Sequence, residues 1–196
     1  MEHDEKLMSG EESLRIITDM INRTRGNIRH ASFHLLLWGW LVLLCSLADY
    51  LITNFTSFDK SYYIWWLTIP GVFVSLAYGY TRGKKQTVYT YTDRVYMWTW
   101  LALLPTAAIM IVMLIGNNVY FLGSFMLMLV GMPAFMSGIM IRFRPLILGG
   151  ISFWVLALVG HFSGPHIASL SVPAAMLLGY LIPGYMLRKE ENNGTV

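Results

Sequence analysis

The chain has 196 residues, of which 56% are apolar and only 13% charged, against roughly 25% charged in a soluble domain. With a mean hydropathy of +0.53 there is too little polar surface to cover a water-soluble body of this size, so the solvent is lipid, and a soluble enzyme, a disordered chain and a disulfide scaffold are excluded. The net charge of +3 and the pI near 9.0 would fit a nucleic-acid partner only if the basic residues clustered for one, and they do not.

Residues 1–10 are polar and acidic and lack the apolar stretch of a cleavable signal peptide, so insertion is expected to use the first membrane helix itself. Ser9-Gly10-Glu11-Glu12 has the form of a capping box. Leu14, Ile17, Ile21 and Ile28 then recur at helical spacing, while Glu12, Asp19, Arg23 and Arg25 point elsewhere. This predicts a cytoplasmic amphipathic helix within 1–31, lying on the membrane surface or docked under the bundle, and available to a cytoplasmic protein partner.

Six runs then have the roughly 20 apolar residues needed to cross about 30 Å of hydrocarbon: 33–52, 62–80, 95–115, 119–141, 145–162 and 167–187. The runs are continuous rather than alternating, which in lipid means helices and not a barrel. The expected fold is therefore all-α: a polytopic bundle of six transmembrane helices over 32–188, preceded by the amphipathic helix and followed by a short tail at 189–196. The fifth run is the shortest.

Lys6, Arg15, Arg23, Arg25 and Arg29 precede the first run. Arg82, Lys84, Lys85 and Arg94 lie between the second and third, Arg142 and Arg144 between the fourth and fifth, and Arg188 and Lys189 after the sixth. Thirteen of the 14 basic residues thus fall on one side, with Lys60 alone on the other. The positive-inside rule places both termini in the cytoplasm, and attraction to anionic lipid heads accounts for the basic pI. No nucleic-acid partner is expected. Tyr62, Tyr63, Trp65 and Trp66 fit an outer aromatic belt, and Tyr78, Tyr80, Tyr89, Tyr91 and Tyr96 an inner one.

The run Trp38-Gly39-Trp40-Leu41-Val42-Leu43-Leu44 matches Trp98-Thr99-Trp100-Leu101-Ala102-Leu103-Leu104 at five of seven positions, and the even spans carry Pro70, Pro133, Pro173 and Pro183. Three parallel helical hairpins would give such a pattern.

Ionisable groups inside a bilayer are costly and are candidate functional residues. His34, Trp38, Cys45 and Asp49 share one face of the first span, and a cation or proton site could combine Asp49 with His161 and His166 of the fifth external connection. The competing reading puts Asp49 at the hydrated outer headgroup level and both histidines in an exposed loop. No fixed ligand spacing marks a metal site, and no cofactor is expected. Arg142 and Arg144 flank Phe143, as positive anchors or as contacts for a phospholipid or anionic substrate. Ser137 lacks the glycine-rich turn of an intramembrane serine protease. With Gly131 and Gly138 it fits close helix packing instead. Met126, Met128, Met132, Met136 and Met140 read as apolar filler. The lone Cys45 permits no intramolecular disulfide.

Ser32-Phe33 with Leu36-Leu37-Trp38-Gly39-Trp40-Leu41-Val42, Gly83-Lys84-Lys85 with Tyr91-Thr92-Asp93-Arg94, Arg144-Pro145-Leu146-Ile147 with Gly149-Gly150-Ile151, and Leu181-Ile182-Pro183-Gly184 together resemble a family of small, Trp-rich, six-span membrane proteins of Bacteroidota. The resemblance implies an inner-membrane location and a regulatory context, and brings no catalytic residue. The expected function is a non-enzymatic interaction, sensory or regulatory role in the membrane. The alternative is a small-solute transporter or channel component of the substrate-binding type. A homo-oligomer is compatible with the small-residue spacing of Gly79 and Gly83.

Overall fold

A computed structural model of the protein describes residues 31–56, 60–83, 91–114 and 121–193. The amphipathic helix expected before Ala31 lies outside the described residues, as does the basic stretch 84–90. The described chain folds as helices: α1 (Ala31–Phe55), a 3-10 turn (Ser61–Leu67) running into α2 (Thr68–Gly83), α3 (Tyr91–Leu114), α4 (Leu122–Ile141) and α5 (Arg144–Phe162). A last helix follows in three parts, α6 (Pro165–Met176), a π-turn (Leu177–Leu181) and α7 (Ile182–Asn193). No strand occurs among the described residues.

Among the described residues, five helices are long and apolar enough to cross a membrane: Ala31–Phe55, Arg94–Met113, Leu122–Ile141, Arg144–Phe162 and Pro165–Asn193. Six were expected. The difference lies in the second run, which is not one long α-helix but a seven-residue 3-10 turn followed by the 16 residues of α2. Pro70 explains the change. It has no N–H and is best accommodated in the first turn of an α-helix, and α2 begins two residues before it. The residues upstream wind more tightly: the Thr68 backbone N–H donates to the carbonyls of Trp65 and Trp66, and the Thr68 hydroxyl donates to Trp65 O at 2.6 Å.

This composite packs back along the whole of α1. Thr53 Oγ1 donates to Ser61 Oγ at 3.1 Å, and Cys45 Sγ donates to the Ile64 carbonyl at 3.7 Å. Farther along, His34 Nδ1 lies 2.8 Å from Ser75 Oγ, and Phe33 stacks on Tyr78 with ring centroids 3.8 Å apart.

The core is built from α1, α4, α5 and the last helix. Leu35, Leu43, Leu127, Ala134, Leu146, Phe153, Ala175, Tyr180, Leu181 and Leu187 are buried in it. Lipid is as apolar as these side chains, so close packing rather than the hydrophobic effect must hold the helices together. Glycine makes the closeness possible. A Cβ on Gly138 of α4 would meet the Ile147 backbone nitrogen of α5 at 2.6 Å, and one on Gly149 of α5 would meet the Gly179 carbonyl oxygen of the π-turn at 2.6 Å. By contrast α3 buries almost nothing and leans on α4 alone to any extent.

The tight α4–α5 connection is a Schellman closure. Phe143 N–H donates to Gly138 O at 2.9 Å and Arg142 N–H to Ile139 O at 3.1 Å. Arg142 takes the left-handed conformation such a closure needs, φ +57°, at a position that glycine usually fills. Phe143 is buried, 4% exposed, while Arg142 and Arg144 on either side point out of the bundle.

The first and last helices are joined at their ends. The Glu191 carboxylate accepts the Ser32 backbone N–H at 3.2 Å and, through its other oxygen, the Ser32 hydroxyl. A carboxylate at a helix N-terminus satisfies unpaired N–H groups and complements the helix dipole. Glu191→Ala is expected to cost about 1–2 kcal/mol, measured as a lower midpoint in reversible detergent unfolding, whereas Asn192→Ala, at an exposed position of the same helix, should shift the midpoint by less than about 0.5 kcal/mol.

Candidate functional site

Side chains from four elements converge where α3 reaches the π-turn. α3 contributes Tyr96 and Trp100, one helical turn apart and with ring centroids 6.3 Å apart. α4 contributes Ser137, α5 contributes Phe153, and the π-turn contributes Tyr180.

The π-turn follows from Pro183. Without an N–H, Pro183 cannot donate to the Gly179 carbonyl four residues back. The helix widens instead, and the Ile182 N–H closes a bond to Leu177 O, five residues back. Such single-turn bulges recur at functional positions. Here the bulge turns Gly179, Tyr180 and Leu181 all into the core.

The polar atoms of this cluster form a short chain. Trp100 Nε1 donates to Ser137 Oγ at 3.2 Å, and the Ser137 hydroxyl donates to the Pro133 carbonyl at 2.6 Å, a bond to its own helix. The Tyr96 hydroxyl interacts with both Trp100 and Ser137. Tyr180 stands edge-on to Phe153 at 5.0 Å and 76°, with Trp100 at 6.4 Å. Tyr180 is 3% exposed, and its Oη has no hydrogen-bond partner, the one buried polar side-chain atom so placed among the described residues. A buried hydroxyl left unpaired costs about 1–3 kcal/mol, so this orphan calls for an explanation. None of the five side chains is charged. The arrangement can donate one hydrogen bond between aromatic walls, and it holds no nucleophile–base pair.

The residues singled out from sequence lie elsewhere. Asp49 is half-buried and faces the 3-10 turn, its Oδ2 accepting Trp65 Nε1–H at 3.5 Å. His161 is half-buried at the end of α5 among the rings of Phe121, Phe162 and Phe125, at 4.5, 5.1 and 6.1 Å. His166 is exposed in the first turn of α6. Each has its own neighbourhood, and no group of three or more His, Cys, Asp or Glu that could hold a metal occurs among the described residues. Arg142 is exposed at the α4–α5 turn. Of the residues read as one face of α1, His34, Cys45 and Asp49 meet Ser75, the Ile64 carbonyl and Trp65 of the returning 61–83 segment, while Trp38 packs against the core.

The two tryptophan motifs are used differently. Trp38 and Trp100 pack against the core, whereas Trp40 and Trp98 are 44% and 58% exposed. The matched positions therefore do not share an environment. Of this cluster, sequence pattern assigns Tyr96 to the inner aromatic belt and Ser137 to the packing residues, and does not single out Tyr180. The available signal was Pro183 four residues after Gly179. Compared with protein-family models, curated proteins and solved structures, the chain matches none.

Proposed function

We propose that this protein is a six-span protein of the inner membrane that acts by interaction, as a non-enzymatic sensory or regulatory component. Its two ends face the cytoplasm, where the N-terminal segment and the basic connections engage a soluble partner. The observation that carries the reading is what the hydroxyls inside the helices do. Ser46, Thr99, Thr106, Ser137, Ser152, Ser169 and Ser171 all donate to carbonyls three or four residues back in their own helix. A solute carrier needs such groups turned toward a path near the midplane. Here these seven are spent within their own helices, and the helices themselves close on glycine contacts.

Six crossings are supported by parity. Ser32 at the start of α1 bonds to Glu191 near the end of α7, which favours an even number of crossings between them, whereas the long apolar helices among the described residues number five. The composite 61–83 supplies the sixth. At about 2 Å per residue for its 3-10 part and about 1.5 Å for the rest, it is about 38 Å long, and it follows α1 from Thr53 to Phe33. The cytoplasmic side is that of Arg142, Arg144, Arg188 and Lys189 by the positive-inside rule, and the inner-membrane setting rests on the family resemblance.

The test is co-purification of a tagged full chain from its native host in mild detergent, beside a chain lacking residues 1–28. A soluble partner retained at stoichiometric level by the first and lost from the second is the expected result. A membrane transport subunit or an ATPase retained equally by both would replace this reading with the transporter one.

A further inference from the structure

We propose that Tyr96, Trp100, Ser137 and Tyr180 form an intramembrane binding site for a flat, uncharged, lipid-soluble molecule that presents a carbonyl oxygen to the Tyr180 hydroxyl. The site does not depend on the partner-docking reading above. Its recognition chemistry follows from what is already paired. The Trp100 N–H is taken by Ser137, the Ser137 O–H by the Pro133 carbonyl, and the Tyr96 hydroxyl interacts with both Trp100 and Ser137. The group left over is the Tyr180 O–H, 97% buried by its residue exposure of 3% and without a partner. A carbonyl accepts that hydrogen bond and brings no donor of its own, so binding removes one orphan without making another.

Charge is excluded because none of the four side chains, nor Phe153 beside them, can balance it, and an unpaired charge in hydrocarbon is costly. Flatness follows from the aromatic surface offered: the rings of Tyr96, Trp100 and Tyr180 lean on one another at 53° and 52°, with centroids 6.3 and 6.4 Å apart, so a ligand lies against their outer faces, where a flat ring packs best by offset stacking.

Access is from the lipid side. α2 packs on α1 and α3 on α4, and no substantial interface joins α2 to α3 among the described residues. Tyr96 and Trp100 are themselves only partly buried. The π-turn supplies the inner wall, held in place by Pro183 and carrying Tyr180 on its buried side.

The experiment uses the full chain in lipid nanodiscs, titrated with a decyl-tailed benzoquinone, which is flat, uncharged, carbonyl-bearing and quenches nearby indole fluorescence. The wild type should show a saturable quenching component above the linear one that membrane partitioning produces. Trp100→Phe should lose that component and Trp98→Phe, on the exposed side of the same helix, should keep it. Tyr180→Phe, which removes only the hydroxyl, should weaken the apparent Kd about tenfold, the worth of one buried hydrogen bond. Purely linear quenching in the wild type, equal quenching in both tryptophan variants, or an unchanged Kd in Tyr180→Phe would each overturn the proposal, leaving Tyr180 a hydroxyl that meets only water. Should Tyr180→Phe fail to fold, the two tryptophan variants decide the matter alone.

Discussion

Gly149→Leu is expected to prevent the bundle from closing, and Gly149→Ala to destabilise it by about 1–3 kcal/mol, the usual cost of forcing extra volume into a packed interior. Alanine ordinarily strengthens a helix by about 1 kcal/mol over glycine, so the sign itself is informative. At Gly149 the added Cβ would sit 2.6 Å from the Gly179 carbonyl oxygen, a backbone atom that cannot swing aside. At Gly79, near the end of α2, a Cβ would meet nothing within 4 Å. Gly79→Ala should therefore be neutral or stabilising by up to about 1 kcal/mol. Reversible unfolding of both variants in mixed detergent micelles checks the pair. Equal shifts of the same sign would mean that α5 and the π-turn are not in the contact described here.

Phe153→Ala should cost about 2 kcal/mol. In water the same change costs about 3–5 kcal/mol, because the lost transfer energy of the ring adds to the cavity it leaves. In a bilayer the unfolded helices already sit in hydrocarbon, so the cavity dominates. A void of up to about 100 Å³ at about 24 cal/mol per Å³ gives the figure stated. Phe153 is 0% exposed, and its ring lies against both Gly179 and Tyr180, so the loss should also loosen the π-turn. Phe162→Ala, 82% exposed at the far end of the same helix, is the matched control and should cost less than about 0.5 kcal/mol. The same unfolding titration reads both.

The helical runs were legible because lipid imposes a simple condition on sequence: every backbone group must be paired within its own segment, so each long apolar stretch becomes a helix. The run at 145–162, the shortest of the six, is a helix of 19 residues, Arg144–Phe162. The run at 62–80 differs from the rest because Pro70 delays the α-helix by a turn and a half, an effect that apolar length does not register. Asp49 and the histidines stood out in sequence because charge is rare among these residues. Tyr180 did not, since a tyrosine in a membrane helix ordinarily marks an interface. Only the bulge ahead of Pro183 turns its hydroxyl into the core, away from any partner.

The apolar surroundings of this protein and its all-helical class are already carried by composition and hydropathy. These are properties of composition and of stretches of about 20 residues, and each can be summed along the chain without knowing what lies beside it. Tertiary structure alone decided which helices form the core, that α3 stays at its edge, that Glu191 meets Ser32 across 159 positions, and that Trp100, Ser137 and Tyr180 come together. In lipid every outward face is as apolar as every inward one, so hydropathy cannot tell a packed helix from a peripheral one. That choice is made by small residues meeting at close range, such as Gly149 against Gly179, and their meeting depends on the three-dimensional path of both helices.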